Sequence, residues 1–299
     1  MILYHEFIGM VGCYEIVKLG VKNTKPYLPS VQLAIIMSMR ADTRLTERSL
    51  AHLTRLCPNT WIQINNGWRA CEKPECVRST AHDLVHAYRN ACAACRDVAG
   101  PVLLLEEDAI FFEYDVRHYS HVDCFLRTQM YNVYSLGSFG EWLPQTFARH
   151  RQFANTMGFS QAIVWNQNAR RLLMERPDGD VHIDVHTLSA MPLKYTYYKP
   201  LVVQLFPTTE NMESWCIECE NGVMESVVVS AWQSFLQYAL NMDSDIHGWV
   251  HLYEMNGLIR HARRALRVVR DVVVYFVGTM VVYRIMGIAS RSSRRPTDP

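Results

Sequence analysis

The chain has 299 residues, of which 49% are hydrophobic and 20% are charged, which is ordinary for a soluble globular protein with a substantial core. Its formal net charge is +1, and the part before the last forty or so residues carries no basic stripe. Nucleic-acid binders usually have such a stripe, so we expect no nucleic-acid partner.

Strands and helices are predicted to alternate through the first third of the chain. Residues 1–30 are interpreted as a peripheral element without assignable chemistry. The following apolar and amphipathic segments predict a strand over 32–38, a helix over 44–56, a strand over 61–64, a helix over 79–98 and a strand over 101–105. This order predicts an α/β domain with a mostly parallel, Rossmann-type sheet flanked by helices.

Polar residues follow each of these three strands. They are the segment from Ser38 to Arg44, the pair Asn65-Asn66, and the acidic run Glu106-Glu107-Asp108. Ligands of open parallel sheets bind beyond the carboxyl ends of the strands. We therefore expect the three groups to meet at one ligand site.

The rest of the chain gives a patchier pattern. It predicts strands over 131–137 and 161–166, a helix over 169–175, extended chain over 194–204 and a helix over 223–240. Trp165 is either a stacking platform for a sugar ring or an aromatic core residue. The predicted domains are a peripheral element at 1–30, a main domain at 31–255 and a tail at 256–299.

The acidic run is the main candidate for metal binding. Glu106 and Asp108 point to the same side if the strand continues, because side chains alternate with a period of two. Clustered carboxylates repel one another unless a cation lies among them. Mn²⁺ or Mg²⁺ suits such oxygen ligands and could hold a diphosphate leaving group. The alternative is a solvated acidic turn at the end of a strand.

A second candidate group is the alternating run His182, Asp184 and His186. On a strand these side chains would share one face. They could supply a third metal ligand, for which His186 is the candidate, or a general base, for which Asp184 is the candidate. A structural carboxylate–histidine pair is the alternative.

Several segments, in this order, resemble glycosyltransferase family 25, the group of lipopolysaccharide-modifying and collagen-galactosylating enzymes. The matching segments are QLAIIMSMRADTR (32–44), RSTAHDLVHAYRNA (78–91), LEEDAIF (105–111), GFSQAIVWNQNARRLL (158–173), HIDVHTL (182–188) and KPLVVQ (199–204). The chain departs from the family in having Glu107 where Asp is commoner and in separating Ser79 from His82.

The resemblance implies a GT-A fold and transfer of a hexose from a nucleotide sugar, with UDP as the expected nucleotide, to a glycan, a lipid-linked glycan or a protein, with inversion. By the same resemblance Asp108 is a direct ligand of the metal and Glu106 assists. The expected contacts of the nucleotide sugar are Ser38, Arg40, Arg44, His82, Glu106 and Glu107. The competing hypotheses are a metal-dependent nucleotidyltransferase and an inactive membrane-associated scaffold of the same fold.

The carboxyl-terminal tail predicts a basic and apolar helix. Arginines from Arg260 to Arg270 precede an apolar run over 272–283, a pattern typical of a helix on an anionic membrane surface. A solvated terminal helix packed on the domain is the alternative. The pairs Cys92/Cys95 and Cys216/Cys219 lie far apart for a zinc module, so we expect buried free thiols. Together with a start that does not look like a signal peptide, this predicts a cytoplasmic location, with association to the cytosolic face of a membrane.

Overall fold

The computed structural model divides the chain into two compact units, Met1–Val250 and His251–Pro299. The residues that it describes all belong to the first unit. They are 5–11, 13–19, 25–39, 55–57, 59–67, 70–71, 73, 77, 79–111, 116–143, 149–158, 160–176, 179 and 182–204. The predicted helices over 44–56 and 223–240 and the basic tail lie wholly or almost wholly outside these residues.

The described residues contain twelve strands and four helices. The strands are β1 (His5–Val11), β2 (Tyr14–Leu19), β3 (Leu33–Met39), β4 (Thr60–Asn65), β5 (Val102–Glu106), β6 (Ala109–Phe111), β7 (Val133–Ser135), β8 (Phe139–Trp142), β9 (His150–Gly158), β10 (Ala162–Trp165), β11 (Lys194–Tyr197) and β12 (Val202–Gln204). The helices are α1 (Thr80–Ala94), α2 (Val116–Thr128), α3 (Gln167–Glu175) and a π-helix, Ile183–Leu188. The fold is therefore mixed α/β, as the sequence predicts.

Ten of these strands form one sheet in the order β1-β2-β4-β3-β5-β10-β7-β11-β9-β8, and β12 pairs with β6 separately. The predicted parallel arrangement of the first three strands is confirmed, because β3 lies between β4 and β5 and is parallel to both. A mostly parallel sheet is not confirmed. Apart from these two pairs and β7–β11, the neighbouring strands are antiparallel.

Antiparallel strands extend the parallel group β4-β3-β5 on both of its sides. The hairpin β1–β2 extends the sheet beyond β4, so the segment 1–30 contributes two strands at its edge. On the other side of β5, β10 returns in the opposite direction. These antiparallel pairs on both sides of the parallel group are the reason why the sheet as a whole is not mostly parallel.

Alternate residues of the central strands pack against different helices. Leu103 and Leu105 of β5 share a buried cluster with Phe125 of α2. On the opposite face, Trp165 of β10 is fully buried and its ring centroid lies 6.1 Å from that of Tyr88 in α1. Trp165 is therefore a core residue and is not a stacking platform for a sugar.

One buried arginine ties α3 to the connection between α1 and β5. Arg170 is 2% exposed, and its guanidinium donates to the carbonyls of Cys95 at 3.1 Å, Val98 at 2.5 Å and Gly100 at 3.2 Å. A guanidinium has several fixed donors, so it can satisfy three carbonyls of one turn at once. This contact fixes the start of β5 against α3.

A disulfide bond joins Cys13, in the turn between β1 and β2, to Cys71 in the loop after β4. The expected free thiols at Cys92 and Cys95 are confirmed, and both are buried. Disulfides are typical of oxidising compartments, so the Cys13–Cys71 bond weighs against the reducing location expected from the sequence. Within the described part of the chain, no helix is long and apolar enough to cross a bilayer.

Candidate functional site

The acidic run lies at the carboxyl end of β5, where the sequence analysis places it. Glu106 is the last residue of β5, Glu107 and Asp108 form a turn, and Ala109 begins β6. Because β3 and β4 run parallel to β5, the ends of all three strands meet at this edge of the sheet.

Glu106 is a partly buried carboxylate with two hydroxyl neighbours. Its Oε1 accepts hydrogen bonds from Ser160 Oγ at 2.5 Å and from the Tyr88 hydroxyl at 3.1 Å. The pKa of Glu106 is raised to about 8: burial is the largest cause, the charges of Asp108 and Asp184 add to it, and the two hydroxyl donors oppose it. Two further carboxylates therefore act on Glu106, which favours a proton or a cation at this site.

Glu107 joins the turn to the end of β3. Its Oε2 accepts a hydrogen bond from Ser38 Oγ at 2.7 Å and another from the backbone N–H of Met39 at 2.9 Å. Hydrogen bonds to a charged carboxylate are stronger than those between two neutral groups. The bonds from Ser38 and Met39 to Glu107 therefore hold the acidic turn against β3. Ser38 and Glu107, both expected to contact the nucleotide, contact each other.

Asp108 is 9% exposed, and its Oδ1 is buried. Its charge raises the pKa of both Glu106 and Tyr88, after burial as the main cause. The two carboxylates that the sequence predicts to share one side are therefore close enough to interact.

The run from His182 to Leu188 is not a strand, and this expectation is wrong. Residues Ile183–Leu188 form a π-helix, in which the buried residues Ile183, Thr187 and Leu188 lie on one side. The charge of Asp184 nevertheless acts on Glu106, because it adds to the rise in the Glu106 pKa of which burial is the main cause. His186 is exposed, and its Nδ1 accepts a hydrogen bond from the His182 backbone N–H at 3.3 Å.

Ser79 and His82 lie at the start of α1. Ser79 is the N-cap of the helix, and its Oγ accepts a hydrogen bond from the His82 backbone N–H at 3.1 Å. The His82 side chain is buried, with its ring centroid 5.3 Å from that of His86. The separation of Ser79 and His82 by two residues is therefore what a capping interaction needs.

A buried ion pair beside this site was not foreseen from the sequence. Lys73 forms a salt bridge with Asp83 of α1, and the two side chains are only 4% and 5% exposed. Asn65, at the end of β4, accepts from Lys73 Nζ at 2.8 Å and donates to Asp83 at 3.2 Å. Burial lowers the pKa of Lys73, and the hydrogen bond and charge of Asp83 oppose that change. An isolated lysine in a loop gives no sequence signal for this pairing.

The expected arginine contacts, Arg40 and Arg44, lie outside the described residues. Among the residues that are described, no three His, Cys, Asp or Glu side chains form a ready-made metal site. Metal binding by Glu106, Asp108 and His186 therefore stays a prediction. The three carboxylates fit a divalent cation in charge and in ligand type, because hard cations prefer oxygen ligands.

Comparisons with known proteins leave the function open. No protein-family model matches the chain, and no curated protein matches its sequence. The crystal structure of A197 from STIV is similar to this chain with a TM-score of 0.39 and 12% identity, over 60% of this chain and 87% of that one. A TM-score this low carries no argument about fold or function.

Proposed function

We propose that this chain is a metal-dependent glycosyltransferase that transfers a hexose from a nucleotide sugar. The observation that carries the proposal is the Glu106 carboxylate at the carboxyl end of the parallel strand β5, which Tyr88 and Ser160 hold by hydrogen bonds and on which the charges of Asp108 and Asp184 act. Such an arrangement of carboxylates is costly without a cation, and it is what a site for a metal-bound diphosphate needs. The parallel group β4-β3-β5 with its helix α1 also supports the finer assignment to the GT-A fold.

Each residue then has a distinct part in the proposed reaction. Asp108 and Glu106 would hold Mn²⁺ or Mg²⁺, which would offset the negative charge that develops on a diphosphate leaving group. Tyr88 and Ser160 orient the Glu106 carboxylate through their hydrogen bonds. Asp184 takes the proton of the acceptor hydroxyl as the sugar carbon is attacked, which leads to inversion.

Glu107 has a positioning part in this proposal. It fixes the acidic turn to β3 through Ser38 and Met39, so the turn keeps its geometry before the donor binds. Sites that are ordered in advance lose less binding energy to the ordering of side chains.

The donor and acceptor classes rest on the family resemblance alone. A UDP sugar is the proposed donor, and a glycan, a lipid-linked glycan or a protein is the proposed acceptor. Arg40, Arg44 and His82 complete the proposed nucleotide site, and the tail over 256–299 is the proposed contact with a membrane surface.

Thermal unfolding with UDP, GDP and CMP sugars, each with and without Mn²⁺, tests the proposal. We expect one nucleotide sugar to raise the melting temperature only when Mn²⁺ is present, since both ligands bind the folded state. Asp108→Asn keeps the size of the side chain and removes the charge, so this variant should lose the shift.

Asp97→Asn is the matched control, because Asp97 is exposed in the turn after α1. This variant should keep the full metal-dependent shift. If no nucleotide sugar gives such a shift, or if Asp108→Asn keeps it, the proposed function is wrong. If one nucleotide sugar does give the metal-dependent shift, its slow hydrolysis in the absence of an acceptor would identify it as the donor.

A further inference from the structure

A second group of polar side chains lies between α2, β9 and β11. We call His118, His121, Arg149, His150 and Tyr197 the histidine cluster. The Tyr197 hydroxyl lies 3.1 Å from Nδ1 of His118 and 3.1 Å from Nδ1 of His121. The His150 ring centroid lies 5.5 Å from that of Tyr197. One buried hydroxyl therefore orients two imidazoles beside a third.

The charged groups that act on these imidazoles are cationic. Arg149 Nη1 contacts both ring nitrogens of His121. A guanidinium can only donate, so the ring nitrogen that bonds to it must accept, which requires a neutral ring. After desolvation, the charges of Arg149 and Arg117 lower the pKa of His121. After burial, His121 and Arg149 lower the pKa of His150 to about 4. The cluster is thus a region of positive potential.

Solvent reaches the cluster from one side. Arg149 is exposed, the three histidines are partly exposed, and Tyr197 is fully buried beneath them. The Tyr198 ring, which lies 6.4 Å from the His118 ring, has Lys199 Nζ 5.7 Å from its centroid. A ligand that reaches the cluster meets guanidinium and imidazole groups before it meets the core.

We propose that the histidine cluster binds a phosphate group. A phosphate offers several strong acceptor oxygens, and a guanidinium matches its geometry with paired donors. The negative charge of a bound phosphate would also favour protonation of His121, because it offsets the positive charge of Arg149. His121 could then take up a proton and change from an acceptor of Arg149 into a second donor to the ligand.

This site is separate from the acidic site. Tyr197 contacts α2, which packs with Leu103 and Leu105 of β5. Glu106 directly follows Leu105 in β5, so its side chain points to the other face, where it accepts a hydrogen bond from Tyr88 of α1. Consecutive side chains of a strand point to opposite faces, so the two sites lie on opposite faces of the sheet. The phosphate proposal therefore does not rest on the proposed glycosyl transfer.

Titration of the full-length protein with inorganic phosphate, at constant ionic strength in chloride, tests this inference. We expect the ring signals of His118, His121 and His150 to shift in nuclear magnetic resonance spectra and to give a saturating curve. Arg149→Gln removes an exposed charged donor and should weaken binding at least about tenfold. Arg171→Gln, which removes an exposed arginine on α3, should leave the affinity unchanged.

Sedimentation with phosphatidic acid vesicles distinguishes a lipid headgroup from a soluble phosphate. Vesicle binding that Arg149→Gln reduces would identify the lipid source, and phosphate binding without such vesicle binding would identify a soluble ligand. Ring signals that do not respond to phosphate would overturn the proposal. So would equal phosphate affinities of the wild-type protein and Arg149→Gln.

Discussion

His150 illustrates how burial sets the charge of a single residue. Its ring stacks on Phe125 at a centroid distance of 4.4 Å, and its Nδ1 lies 2.7 Å from the Tyr134 hydroxyl. Burial is the first cause of its low pKa of about 4, and the charges of His121 and Arg149 add to it. In the pH range just below 6.5, where an unfolded histidine begins to be protonated, His150 therefore stays neutral in the folded protein.

This residue should make the protein sensitive to acid. Between its unfolded pKa of 6.5 and its folded pKa of about 4, His150 binds a proton in the unfolded state and not in the folded state. The free energy of unfolding should then decrease as the pH falls, by up to about 1.4 kcal/mol per pH unit from this group. Urea unfolding in phosphate-free buffer between pH 7 and pH 4.5 should show a shallower decrease for His150→Gln. His186→Gln, at an exposed histidine, should keep the wild-type slope, and equal slopes in all three proteins would contradict this account.

The carboxylates of the acidic site could be predicted from the sequence, but their hydrogen-bond partners could not. Glu106 and Asp108 could be singled out because they follow a predicted buried strand, and Asp184 because it alternates with two histidines. The partners Tyr88 and Ser160 could not, because each comes from a distant segment and has an ordinary local pattern. The tie between Glu107 and Ser38 likewise depends on how two strands lie side by side, which local sequence does not encode.

At the scale of elements, helix ends and buried strands were predictable because their signals are local. A serine before an amphipathic run predicts the start of α1, and unbroken apolar runs predict β3 and β5. The π-helix was missed because His182, Asp184 and His186 alternate like strand residues. The buried residues Thr187 and Leu188 lie four and five positions after Ile183. This spacing depends on how the segment packs in the folded protein, so the local sequence does not predict it.

The capping interaction of α1 should be measurable. Ser79→Ala removes the acceptor for the His82 N–H, and we expect the free energy of unfolding to decrease by about 1 kcal/mol. Urea unfolding of both proteins gives the difference. Ser120→Ala is the matched control, since Ser120 lies exposed within α2 and bonds only to the Val116 carbonyl of its own helix among its described contacts. A loss no greater than that of this control would rule out the capping interaction.

At the scale of the whole molecule, strand order was the least predictable property. The sequence predicts β3, β4 and β5 as parallel strands, but it does not predict their order in the sheet. The pairing of β5 with β10 and of β7 with β11 joins residues far apart in the chain. Long-range pairing follows from the burial of entire faces, which no local pattern specifies. The disulfide was unpredictable for the same reason, because one cysteine of the pair belongs to a hairpin whose place in the sheet was unknown.

That disulfide should contribute to global stability. Cys13 and Cys71 are 58 residues apart, and the bond restricts the unfolded chain over that length. Replacing both cysteines with serine should lower the free energy of unfolding by about 2 to 4 kcal/mol. Reductant should destabilise the wild-type protein and leave the double variant unaffected. Cys124→Ala, at an exposed free cysteine, should retain the response to reductant, and a wild-type protein that does not respond would contradict the prediction.

The position of β5 has a consequence for synthesis on the ribosome. Strands β2, β3, β4 and β5 are complete once Glu106 has emerged, but Leu105 pairs with Ala162 of β10, which is made much later. Until then β5 is an uncovered edge of a growing sheet, with a row of apolar side chains and unpaired backbone groups. A nascent chain paused in this interval is at its most exposed to wrong strand pairing, and the arrival of β10 ends that period.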